Sequence, residues 1–186
     1  MEHGFTTWKD IIVVLVNILG VAAIIIAVRS YRLKQKSNYF QVVNNLVNKY
    51  QDNFLAQNNF DNETRKKFID FVNEELFYIQ YGYVPLPIAV EWIDGMLDIL
   101  PVINNGKQYF TNPNSLFNSK IEDDILKTYP RVKRALSITS IKDPVDLTIN
   151  SSIALRKEVV SEVIGNIFNS KKMKKRAKNE MNKIHF

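Results

Sequence analysis

Along most of this chain apolar residues recur every three or four positions, but one stretch has almost no polar positions at all. From Ile11 to Val28 the sequence runs IIVVLVNILGVAAIIIAV, uncharged throughout and with Asn17 as its one polar side chain. A helix that is apolar on every face has no polar side to turn toward water. At about 1.5 Å per residue the run reaches about 27 Å, near the roughly 30 Å thickness of bilayer hydrocarbon. Residues 11–28 therefore predict a transmembrane helix. Trp8 just before the run and Tyr31 just after it suit the headgroup level, where aromatic side chains concentrate. Within the run Asn17, Gly20, Ala23 and Ala27 share one helical face, a candidate packing surface for a protein partner or a second copy of the chain.

Beyond the run the period becomes helical and amphipathic. Tyr39, Val42, Val43, Leu46, Val47, Tyr50 and Phe54 form one stripe. The polar stretch at 57–62 breaks the pattern, and Asp61 or Asn62 is placed to cap a second helix. That helix turns Phe68, Ile69, Val72, Leu76 and Ile79 inward and ends at Gly82. Pro85 and Pro87 open a third, with Ile88, Trp92, Ile93, Met96 and Leu100 in register until Pro101. Asn104-Asn105-Gly106 and Asn112-Pro113-Asn114 bracket a loop holding Tyr109 and Phe110. Ser119 and Glu122 have capping-box spacing before a short helix that stops at Tyr129-Pro130. Asp143-Pro144 opens the last amphipathic helix, with Val145, Ile149, Ile153, Val160, Ile164, Ile167 and Phe168 in period. No stretch alternates with period two, so the expected body is all-α, with about five to six helices after the span.

Charge changes the picture once it is divided along the chain. The net +6 of the 186 residues is not uniform. Residues 29–36 carry Arg29, Arg32, Lys34 and Lys36, while residues 37–170 hold 13 Lys or Arg against 16 Asp or Glu. Residues 171–186 hold seven basic residues, including Lys171, Lys172, Lys174, Lys175, Arg176 and Lys178, against Glu180. A mildly acidic body thus lies between two basic ends. Only Lys9 is basic before the span, so the positive-inside rule puts residues 1–10 outside and everything after Arg29 in the cytoplasm. A cleaved signal peptide fits less well, because the leading region is net negative and no small-residue cleavage site follows. The expected organisation is an outer tail at 1–10, a span at 11–28, a basic juxtamembrane segment at 29–36, a helical domain at 37–170 and a basic tail at 171–186.

Composition narrows the chemistry. There is no cysteine, and the two histidines, His3 and His185, lie at the termini, which argues against a thiol nucleophile, a Ser-His-Asp triad or a histidine-rich metal centre. The six glycines are scattered and build no phosphate-binding loop. Glu91, Asp94 and Asp98 share a face of the third helix, with Glu74 and Glu75 on the helix before it. Carboxylates on two helices can hold a divalent ion, and a solvated helix face gives the same spacing. No cofactor is implied. Three readings of the basic tail remain: a solvated extension, contact with anionic lipid, or nucleic-acid binding. A tail tethered near a bilayer meets lipid first, so lipid or an acidic partner is favoured over nucleic acid.

The span ending in VRSYRLKQK, then FIDFVNEELFYIQYGYVP and AVEWIDGMLDILP, over roughly residues 10–101, resembles uncharacterised bacterial single-span membrane proteins with a small helical cytosolic domain. The resemblance implies a bacterial or phage-like inner (plasma) membrane setting and supplies no catalytic residue. The expected function is that of a non-enzymatic interaction or scaffold module at the cytoplasmic membrane face. The alternatives are a membrane-bound metal-dependent hydrolase using the helix carboxylates and a membrane-tethered nucleic-acid binder.

Overall fold

The structure, a computed structural model, describes residues 3–57, 60–112, 114–117, 119–141 and 153–184, with the backbone alone for residues 3–22 and 184. It is mostly helical, with seven α-helices and one two-stranded hairpin among the described residues, so the all-α expectation holds at that level. Two compact units divide the chain, Met1–Gln41 and Val42–Phe186.

Helix α1 is His3–Tyr50, and the first unit consists of its residues up to Gln41. From residue 23 to residue 34 every side chain is exposed. Ile24, Ile25 and Ile26 are consecutive, so they point about 100° apart, yet they are 65%, 62% and 65% exposed. Among the described residues no face of this stretch is packed against protein.

The second unit starts with the last turns of α1, where Leu46 is buried and Tyr50 half-buried. The helix then widens into a π-helical turn, Gln51–Leu55, that the sequence pattern does not announce. Asn53 donates from its side chain to Lys49 O at 2.7 Å across this turn, and Phe54 enters the core. Helix α2, Asn62–Gln80, follows its sequence closely. Asp61 is its N-cap and accepts from Thr64 N at 2.7 Å, an interaction worth about 1 kcal/mol. Phe68, Ile69, Val72, Leu76 and Ile79 are all buried, as their spacing predicts. Gly82, at φ 74°, closes the helix, with Tyr83 N donating to Tyr78 O and Gly82 N to Ile79 O. That pair of bonds is a Schellman cap, and it needs the left-handed residue that glycine supplies at no steric cost.

Helix α3, Leu86–Leu97, has Pro85 at its N-cap, as expected, but its buried face is rotated from the predicted one. Ala89, Val90, Ile93, Met96 and Leu97 are buried, while Ile88 and Trp92 are only half-buried. The reason is that α3 packs on three helices rather than one, which widens its apolar stripe and leaves Trp92 at the edge. The predicted loop after Pro101 is instead a hairpin, β1 Val102–Asn104 and β2 Lys107–Tyr109, in the register Val102↔Tyr109. Asn105 and Gly106, at φ 47° and 76°, make a turn with positive φ at both central residues, which is the twist short hairpins prefer. Two three-residue strands are too short to show alternation. Ile138 N donates to Ile103 O at 2.8 Å, tying the hairpin to the chain after α5.

The short helix α4 is Asp123–Thr128, with Glu122 at its N-cap and no side-chain cap bond, so the Ser119 capping box does not form. A further helix, α5, Pro130–Leu136, starts at the proline expected to end α4. The predicted opening of the last helix at Asp143-Pro144, with Val145 and Ile149, lies outside the described residues. Helix α6, Ile153–Phe168, carries Val160, Ile164 and Ile167 in the core. It does not continue into the basic tail. Asn169 turns left-handed at φ 48°, Ser170 N donates to Gly165 O at 2.9 Å, and the chain reverses into α7, Lys171–Ile184. The facing pairs Gly165 and Lys174, then Glu158 and Lys178, show that α6 and α7 run antiparallel. Ala177 and Met181 are fully buried, so residues 171–184 form a packed helix and not a solvated extension.

Candidate functional site

A mainly apolar opening in the second unit lies where the end of α1, its π-helical turn, α2 and α3 meet. It has a volume of about 330 Å³, within the range of about 300–1,000 Å³ common for small-molecule sites. Its walls follow from the elements already described. The π-helical turn moves Phe54 inward to pack on Phe68 at 5.2 Å and on Phe71 at 5.5 Å between ring centroids. Phe68 and Phe71 in turn form one side of the cavity. The rotation of α3 puts Trp92, Gly95, Met96 and Ile99 on the other side, and Leu46, Val47 and Leu55 complete it. At Gly95 an added Cβ would meet no atom within 4 Å, so the helix backbone is bare there. Leu55 and Glu91 at the edge are exposed, which leaves the cavity open to solvent.

Glu75 is the polar group inside. Its residue is only 9% exposed, and among the described residues neither a hydrogen-bond donor nor a cation reaches its carboxyl group. Burial first, and the neighbouring Glu74 carboxylate second, push its pKa up to about 8. Tyr50, also lining the cavity, is raised by burial and by the Glu75 charge. Among the described lining residues there is no Lys or Arg. Glu75 within holds its proton at neutral pH, Glu91 stands at the rim, and an entering cation would favour release of the Glu75 proton.

The other carboxylates that the sequence singled out do not converge. Glu74 pairs with Lys49 across helices. Asp94 and Asp98 grip Arg156 of α6 at 2.5 and 2.8 Å, and the same guanidinium donates to Asp94 O at 2.6 Å. Those two acids therefore fix α3 to α6. Among the described residues no group of three or more His, Asp or Glu side chains could hold a metal ion. Sequence spacing could not have found Arg156, because it stands 62 residues from Asp94.

The predicted membrane-interface residues Arg29, Arg32, Lys34 and Lys36 are exposed, and Tyr31 OH accepts from Gln35 Nε2 at 3.0 Å. Of the predicted packing face, Ala23 and Ala27 are exposed, while the side chains of Asn17, Gly20 and Trp8 lie outside the described residues. Among the described residues no helix is long and apolar enough to cross a membrane, and residues 11–22 of the apolar run have no described side chains. The basic tail is divided by its own helix. Lys174 and Lys178 turn to Glu158 at 3.1 and 2.7 Å, whereas Lys171, Lys172 and Lys175 have no acidic partner among the described residues. Arg176 lies on the same outer side, near Met173 Sδ at 3.8 Å.

Comparison of the chain with protein-family models, with curated proteins and with solved structures returns no match. Function has to be read from the molecule itself.

Proposed function

We propose that this chain is a single-pass membrane-anchored binding module, with residues 1–10 outside, residues 11–28 across the bilayer and the helical domain on the cytoplasmic side. The observation that carries the reading is the uncharged run from Ile11 to Val28 with its one-sided basic flank. It is supported by the exposure of Ile24, Ile25 and Ile26 on every side of α1, since a water-exposed helix surface of this kind is unfavourable and hydrocarbon would cover it. The domain acts by binding and holds no assembled catalytic constellation among its described residues. The outer side of α7, with Lys171, Lys172, Lys175 and Arg176, offers an anionic leaflet about 1 kcal/mol per basic residue close to the surface.

The absence of cysteine allows a clean test. Single variants Gly4→Cys and Asn179→Cys are made in the full chain and treated on intact cells with an impermeant maleimide. Gly4→Cys should label directly and Asn179→Cys only after permeabilisation, with the protein retained in membranes at alkaline pH. Release of the protein by alkaline carbonate, or the reverse labelling pattern, would overturn the reading.

A further inference from the structure

The cavity between α1, α2 and α3 lies wholly within Val42–Phe186, so its occupancy can be tested separately from whether residues 11–28 cross a bilayer. We infer that it is a binding site for a small organic cation with an apolar body, such as an arylalkylammonium, whose charged end meets Glu75 while Phe68, Phe71, Trp92 and Met96 enclose the rest. Three observations converge on that chemical class. The first is the carboxyl group of a residue only 9% exposed, facing the opening with no partner among the described residues. Its oxygens reach only the solvent in the cavity, so a ligand cation that replaces this water supplies a partner that the described residues do not. The second is the sign of the site. Glu91 stands at the rim and no described lining residue is basic, so an anionic ligand such as a fatty acid or a phosphate would find no counter-charge, whereas a cation can take the place of the Glu75 proton.

The third is the wall material. Trp92 is half-buried at the cavity edge, where its ring offers an apolar body a broad surface. Phe68 and Phe71 give a hydrocarbon body a surface to cover. The bare backbone at Gly95 leaves room that any larger residue would fill. An empty cavity keeps the Glu75 proton, and a cation displaces it to solvent, so one proton leaves as one positive charge enters. Charge inside the site stays balanced in both states.

The probes are 4-phenylbutyl-trimethylammonium, its neutral isostere with carbon in place of nitrogen, and 6-phenylhexanoate, titrated calorimetrically into the full-length protein in neutral-lipid nanodiscs with empty discs subtracted. The permanent cation cannot itself lose a proton, so any pH dependence reports on the protein. The cation should bind at least tenfold more tightly than the isostere or the anion, and its affinity should rise about tenfold or more from pH 6 to pH 8. Glu75→Gln should lose tenfold or more and flatten the pH dependence. Gly95→Leu should lose binding while its melting temperature stays within a few degrees of the parent. Equal binding of cation and isostere, no binding of any probe, or undiminished binding by Glu75→Gln would each overturn the assignment.

Discussion

Two buried glutamates, Glu75 on α2 and Glu162 on α6, are nearly equally shut off from water, 9% and 5% exposed, and their pKa values move in opposite directions. At Glu75 burial raises the pKa and nothing opposes it. At Glu162 burial also raises it, but hydrogen bonds from Ser140 and Thr139 outweigh that and hold it below the usual carboxylate range. Thr139 donates from N and Oγ1 at 2.7 and 2.9 Å, and Ser140 donates from N at 3.0 Å and from Oγ. The difference lies in the surroundings: the Glu75 carboxyl group is the more deeply enclosed by protein, and Glu162 has the hydrogen-bond donors. Among the described residues four donors reach one carboxylate and none reaches the other. One is therefore a structural fastener and the other a group with unused binding capacity.

The sharpest way to break the comparison is to remove the fastener. Glu162→Ala leaves two backbone N–H groups and two hydroxyls facing a cavity, so it should cost about 3 kcal/mol, toward the upper end for a disrupted buried network. Urea unfolding followed by near-ultraviolet circular dichroism measures it. Acid should act in the same direction on the parent. The folded pKa of Glu162 lies below its unfolded value, so its contribution is present above about pH 4.3 and is lost as pH falls through the folded pKa. A loss below 1 kcal/mol for Glu162→Ala would show that residues 139 and 140 do not depend on this carboxylate.

Glu75 should produce the opposite limb. Its folded pKa of about 8 stands above the unfolded value near 4.3, so the folded state holds a proton that the unfolded chain has released. Stability is then greatest in acid and falls as pH rises toward about 8. A cavity open to water softens the effect to about 2 kcal/mol. Glu75→Gln should abolish this fall and leave the acid limb of Glu162 untouched. A fall that persists in Glu75→Gln would assign it to another group.

How much of this was legible in the sequence depends on range. Local devices were readable: the Asp61 cap, the α2 stripe and the Gly82 stop all follow from residues within one turn of each other. Asn169 does the same work as Gly82, but asparagine is a weaker left-handed signal, and the following Ser-Lys-Lys reads as more helix, so the reversal into α7 was hidden. The basic tail looked solvated because its apolar row, Met173, Ala177 and Met181, is narrow. It packs because α6 offers Glu158 and Glu162 on the facing side. Glu75 was visible only as one of several acids on a helix. Its isolation depends on the π-helical turn and on the rotation of α3, and both are set by packing across many residues.

The smallest test concerns Lys174, a cation near Glu162. Lys174 Nζ stands 3.7 Å from that carboxylate and 3.1 Å from Glu158, and about a third of its side chain is exposed. If a counter-charge were what separates Glu162 from Glu75, removing it would make the two alike. The donors from Thr139 and Ser140 argue otherwise, since they are shorter and come from backbone as well as side chain. Lys174→Met keeps the length and the packing over Gly165 while deleting the charge. It should cost about 0.5 kcal/mol, the scale of a partly exposed ion pair, because Glu158 keeps Lys178 at 2.7 Å. Carboxyl titration by nuclear magnetic resonance should find Glu162 still below the ordinary range in this variant. A rise of Glu162 toward Glu75 would mean that the charge on α7, and not the donors at 139 and 140, distinguishes the two sites.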